Sequence, residues 1–81
     1  MKIRIALFAA AKELVGSNFV DLSLPEPATV RDLKHALVDS YPDLVSLISK
    51  SVFSVDHEYA NDEQVLCGGS EVGLIPPVSG G

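Results

Sequence analysis

Few side chains in this sequence have the types and spacing that covalent or acid–base chemistry needs. Cys67 is the only thiol, and the two histidines, His35 and His57, are separated from it and from each other along the chain. That pattern contains no metal-ligand spacing and no nucleophile–base pair. Cys67 runs into Gly68 and Gly69 without a basic neighbour to lower its pKa, so it reads as an incidental thiol in a turn. His35 falls on the polar side of a helical segment and His57 in an acidic turn, where solvated imidazoles are the expectation rather than general bases. Gly68-Gly69-Ser70 lacks the lysine and the preceding strand of a phosphate-binding loop, which predicts a tight turn and no ATP site within the chain itself.

The remaining chemical feature is the segment Pro76-Pro77-Val78-Ser79-Gly80-Gly81. The prolines stiffen the exit from the preceding apolar strand, and residues 76–81 can extend to roughly 20 Å, enough to reach a pocket inside another protein. Gly80 and Gly81 minimise the cross-section of the tip, so backbone and carboxylate can enter a channel that a bulkier residue would block. A free carboxylate is a poor electrophile. Adenylation by ATP on a partner would give it a good leaving group, and a sulfur nucleophile could then displace AMP to leave a thiocarboxylate at Gly81. Such a group is a tethered, polarizable sulfur donor that the domain carries into a partner's active site.

The elements that position this tail follow from hydropathy patterning. Ile3, Ile5 and Leu7 alternate with Lys2, Arg4 and Ala6, which predicts a first strand running to Phe8. Ala9–Val15 has high helix propensity and stops at Gly16. Val20, Leu22 and Leu24 define one face of a second strand, with Phe19, Asp21 and Ser23 on the other, and Pro25-Glu26-Pro27 closes it. Thr29-x-x-Asp32 is a capping-box variant. It opens a helix whose stripe of Val30, Leu33, Leu37 and Tyr41 faces the sheet, leaving Arg31, Asp32, Lys34, His35 and Asp39 toward water until Pro42 ends it. Leu44, Leu47 and Ile48 suggest a further helical turn. Val52–Val55 reads as a strand, Asp56-His57-Glu58 as a turn, Tyr59-Ala60 as a weak strand, Val65-Leu66 as a brief apolar pair, and Val72–Ile75 as the last strand.

This order requires a curved mixed sheet around one main helix, an α+β fold of β-grasp (ubiquitin-like) type. The first and last strands are expected to lie side by side and parallel at the sheet centre, because the excursion between them is long enough for a crossover. A β-grasp domain over residues 1–75 and a protruding tail over residues 76–81 are the expected organisation.

Composition limits what such a domain can do. A chain of 81 residues buries only roughly 60% of the surface that its unfolded form exposes, leaving no room for a deep internal cleft. That argues against a self-contained enzyme. The formal charge of −5 repels phosphate backbones and anionic membranes, and makes a basic protein surface the natural partner. Neither nucleic acid nor a membrane is expected to bind, and the absence of a long apolar run or a leader pattern points to the cytosol.

Several separated segments carry a resemblance to a known family. Phe8-Ala9 followed by Lys12-Glu13-Leu14-Val15-Gly16, then Thr29-Val30-x-x-Leu33, then Pro76-Pro77-Val78-Ser79-Gly80-Gly81 are similar, in order, to signatures of the MoaD-like small subunits of molybdopterin synthase, ubiquitin-fold sulfur carriers. Lys12 stands where arginine is more familiar, and Gly73-Leu74-Ile75 replaces a more aromatic strand end. The resemblance implies activation of Gly81 by an adenylating E1-like enzyme that consumes ATP, sulfur from a sulfurtransferase, and no cofactor or metal bound to the carrier itself. It also implies sulfur donation to cyclic pyranopterin monophosphate inside the large subunit, giving the molybdopterin dithiolene in an assembly of two small and two large subunits.

Phe8, Leu74, Ile75, Pro76, Pro77 and Val78 are the candidate partner-binding patch, with Ser79 and Gly80 giving the tail its access. Alternation alone leaves Phe8 and Leu74 equally open to a core role. Two other readings share the terminal chemistry: a sulfur carrier for thiamine thiazole synthesis or tRNA thiolation, and a protein modifier joined to lysines through its diglycine.

Overall fold

The computed structural model describes residues 1–77. Its strands are β1 (Lys2–Leu7), β2 (Phe19–Ser23), β3 (Ala28–Thr29), β4 (Val52–Val55), β5 (Glu58–Ala60), β6 (Val65–Leu66) and β7 (Glu71–Ile75). The helices are α1 (Ala9–Val15), α2 (Val30–Ser40) and α3 (Val45–Ile48), the last preceded by a 3₁₀ turn at Pro42–Leu44.

Local chemistry explains the main boundaries. Gly16 ends α1 with φ 79°, a left-handed conformation, and its N–H donates to the Lys12 carbonyl at 2.8 Å. Thr29 and Asp32 form the reciprocal cap of α2: the Asp32 N–H donates to Thr29 Oγ1 at 3.4 Å, and the Thr29 N–H donates to Asp32 Oδ2 at 2.9 Å. Thr29→Ala is therefore expected to cost about 1 kcal/mol, read as a lowered urea midpoint at unchanged slope.

The main sheet has the order β2-β1-β7-β4-β5. β1 and β7 are parallel, and the β1–β2, β4–β7 and β4–β5 pairs are antiparallel. Ile3, Ile5 and Leu7 from β1, Val20 and Leu22 from β2, Phe53 and Val55 from β4, and Val72 and Leu74 from β7 all point to one side. Val30, Leu33 and Leu37 of α2 join them there in one buried cluster. This is the expected β-grasp arrangement, with β7 as the middle strand beside β1.

The structure adds contacts that the sequence reading did not contain. Ala28–Thr29, read only as the approach to a helix, pairs antiparallel with Val65–Leu66 as a separate two-stranded sheet. Glu58 belongs to β5 rather than to the turn, because it pairs with Val55. Lys34, expected toward water, is half-buried: its ammonium lies 5.6 Å from the centre of the Phe53 ring and donates to Asp62 Oδ1 at 2.5 Å. The charge is thus paired with a carboxylate and set near an aromatic face. Among the described residues, no helix is long and apolar enough to cross a membrane.

Candidate functional site: the outer face of the sheet

Residues between the buried ones in each strand face away from the helix, and the register places them in rows. One row runs Phe19–Ala6–Gly73–Ser54–Tyr59 across all five strands. Its centre is small and its ends aromatic, with Phe19 51% and Tyr59 80% exposed, so it forms a shallow apolar trough between two rings. Phe8 follows β1 in extended conformation, and its ring reaches over this row, with Cε2 close to Gly73. Toward the β7 C-terminus the next row pairs Val52 with Ile75. In the opposite direction lies a charged row, Asp21–Arg4–Glu71.

In the charged row Arg4 is paired with Asp21. Arg4 donates to both Asp21 oxygens, at 2.9 and 3.2 Å, and its guanidinium stands 5.4 Å from the Phe19 ring centre. Hydrogen bonds from Arg4 hold the Asp21 carboxyl below the usual carboxylate range. His57 Nε2 lies 2.8 Å from Glu71 Oε2, both groups well exposed, and the Glu71 N–H donates to Asp56 Oδ1 at 2.9 Å. A second paired cluster lies elsewhere, where Arg31 and Lys34 of α2 meet Glu63 and Asp62. There the Lys34 hydrogen bond lowers the Asp62 pKa. The ion pairs leave the apolar trough as the distinctive part of the outer face.

The site residues anticipated from the sequence divide clearly. Phe8 is 51% exposed, Ile75 and Pro76 are half-buried and Pro77 is exposed, so these stand at the surface near the β7 exit. The parallel register pairs Leu7 with Leu74, which puts Phe8 level with Ile75. Leu74 is a correction: it is fully buried in the core and offers no surface to a partner, because its position in β7 shares the inner face with Val72. Val78, Ser79, Gly80 and Gly81 lie outside the described residues.

Cys67, His35 and His57 are all exposed. The Cys67 N–H donates to Ser70 Oγ at 3.1 Å and the Ser70 N–H to the Cys67 carbonyl at 3.0 Å, so Cys67 closes a turn through Gly69 at φ 90°. Among the described residues, no group of three or more His, Cys, Asp or Glu side chains is placed to hold a metal ion. Alternation sets Phe19 on the outer face but does not single it out as a site residue, and Ser54, Gly73 and Tyr59 are not singled out either. The signal for Phe19 was present, since a large aromatic alternated with the buried residues of β2. Ser54, Gly73 and Tyr59 become neighbours only through strand register.

Comparison with known proteins places this architecture. Residues 5–81 match the model of the ThiS family. The chain is 35% identical to the molybdopterin synthase sulfur carrier subunit of Chlamydomonas reinhardtii, with all of both chains covered. It is 33% identical to the subunit of that name from Arabidopsis thaliana, covering all of this chain and 84% of the relative. Among solved structures, SAMP1 from Haloferax volcanii, a small archaeal modifier protein, superposes with a TM-score of 0.91 at 31% identity, covering both chains completely. The chain therefore belongs to the ThiS family and is related along its whole length to the molybdopterin synthase sulfur carrier subunits.

Proposed function

We propose that this protein is the sulfur carrier of a molybdopterin synthase and that Gly81 is its reactive residue. The observation that carries this reading is the full-length match to a relative of that name, with the family match running through Gly81. In the proposed cycle an E1-like enzyme uses ATP to adenylate the Gly81 carboxylate, releasing pyrophosphate. The persulfide of a sulfurtransferase then displaces AMP to give an acyl disulfide, and a thiol reductant cleaves its S–S bond to leave a thiocarboxylate. The large subunit receives the tail, the thiocarboxylate sulfur bonds to cyclic pyranopterin monophosphate as a thioester, and water then cleaves the acyl–sulfur bond, leaving sulfur on the precursor and returning Gly81 to a carboxylate. A dithiolene takes two sulfurs, so two charged carriers serve each product, in keeping with two small and two large subunits.

In this scheme the chain supplies delivery rather than chemistry. β7 is the central strand, and it leads at Pro76 and Pro77 to the same end of the sheet as Phe8 and Ile75. A partner that grips Phe8, Ile75, Pro76 and Pro77 would hold the start of the tail at a set position, and residues 78–81 then determine reach. The tethering turns a bimolecular sulfur transfer into a positioned one. We place this exchange in the cytoplasm, where the acidic composition and the adenylating partner belong together.

The test is to incubate the chain with the adenylating enzyme, ATP and a sulfur donor, weigh it, and then add the large subunit and precursor. The expected result is a mass gain of one oxygen-to-sulfur exchange, followed by dithiolene formation. A chain that stays at its original mass under conditions that charge a known carrier would overturn the reading.

One observation favours a second reading. The likeness to the Haloferax volcanii small archaeal modifier protein supports use of the same activated carboxyl to acylate lysines on other proteins. Isopeptide-linked ladders of an epitope-tagged chain, lost on deleting Gly81, would identify that role.

A further inference from the structure

Gly73 occupies an interior position of the central strand, where a β-branched residue would suit the backbone better. Its φ is not in the left-handed region, unlike those of Gly16 and Gly69, so conformation does not require glycine there. Space does. A Cβ at this position would stand 2.9 Å from Ser54 Oγ and 3.4 Å from Cε2 of Phe8. Neighbouring Ala6 is small as well, and a recess of about 120 Å³ lies beside the ring, lined by Ala6, Phe8, Ser54, His57, Glu71 and Gly73 among others. The backbone on the other side of Phe8 is also constrained: Ala9 has φ 49°, a left-handed conformation that a non-glycine residue adopts only when its surroundings hold it.

We propose that Gly73 is a positioning residue for partner docking, its missing side chain leaving a notch beside Ser54 in which the Phe8 ring is seated before the large subunit arrives. This rests on the functional reading above, in which Phe8 is a partner contact. A half-exposed ring that is already seated surrenders less rotamer freedom on docking, and the open recess beside it can receive an apolar side chain of the partner. Valine at this position would project its methyl groups into the space held by the ring and the recess. Alanine demands less: the Ser54 hydroxyl can rotate away, and the 3.4 Å approach to Phe8 is ordinary van der Waals contact.

Full-length wild type, Gly73→Ala, Gly73→Val, Phe8→Ala and the Phe8→Ala/Gly73→Val double variant are titrated with the large subunit of molybdopterin synthase, and each is melted alone. Gly73→Val is expected to bind about tenfold more weakly while still melting cooperatively as a folded domain, since Ser54 and the half-exposed Phe8 ring can move to admit it. Gly73→Ala should remain within about threefold of wild type, and the double variant within about threefold of Phe8→Ala, because the two changes act through one ring. In the free wild-type chain an NMR cross-peak between the Phe8 ring and the Gly73 Hα is expected. Wild-type affinity in Gly73→Val, a full additional loss on top of Phe8→Ala, or a missing cross-peak would each overturn the proposal. Failure of the wild type to bind the large subunit overturns the functional reading and the docking role with it. The cross-peak would still report the seat separately.

Discussion

Capping the Gly81 carboxyl as an amide is expected to abolish sulfur carriage outright, with no thiocarboxylate detected by mass and no dithiolene formed with the large subunit. Adenylation joins a carboxylate oxygen to the α-phosphorus of ATP. An amide nitrogen has its lone pair delocalised into the carbonyl and does not supply that nucleophile at neutral pH. Without the acyl-adenylate there is no leaving group for sulfur to displace, so the loss is of the whole sequence rather than of one rate factor. Deleting Gly81 is a milder form of the same test, because it leaves a carboxylate on Gly80 but draws it back by about 3.5 Å. Such a shift costs a positioned reaction on the order of 100-fold. Neither change should move the melting temperature, since every buried apolar residue among those described lies between Ile3 and Leu74. A capped chain that still delivered sulfur would remove Gly81 from the chemistry.

Phe53→Ala is expected to produce the largest loss of stability. The ring is 1% exposed, stands on β4 within the core cluster that α2 joins, and has the Lys34 ammonium 5.6 Å from its centre. Truncating a buried phenylalanine costs about 3–5 kcal/mol from lost transfer energy and an unfilled cavity. A domain of 81 residues is held by only about 4–12 kcal/mol in total. The variant should therefore unfold at a far lower urea concentration, with a substantial unfolded fraction at 37 °C. Phe8→Ala removes the same side chain from the surface and should leave the unfolding free energy, read from the urea midpoint and slope, within about 0.5 kcal/mol of wild type. Equal destabilisation by both changes would contradict the assignment of one ring to the core and the other to docking.

The contrast between these phenylalanines separates what was legible in the sequence from what was not. Of the three in the chain, Phe53 is buried while Phe8 and Phe19 are about half exposed. Alternation correctly set Phe19 opposite Val20 and Leu22, because β2 is an edge strand with one wet face. It leaves both Phe8 and Leu74 open between core and interface, because Leu74 belongs to the central strand β7 and Phe8 directly follows its neighbour β1. There Val72, Gly73 and Leu74 are all buried, and the usual difference between the two faces disappears. Lys34 departs from the helical pattern for a related reason: its ammonium stands over a ring contributed by a distant strand, and its side chain is partly buried there.

Ubiquitin-like topology, the capped helix, the turn at Cys67–Ser70 and the Gly-Gly tail were all available from the amino-acid order. Each depends on a local rule: a two-residue or 3.6-residue period, a side chain that satisfies a helix end, a glycine where φ must be positive, or a bond whose reactivity is intrinsic. The outer-face row of Phe19, Ala6, Gly73, Ser54 and Tyr59 comes from four separate strand pairings. Pairing register is set by which apolar faces close on the helix and by ladder bonds between distant segments, so only the assembled tertiary structure could bring those five residues together and show why position 73 is glycine.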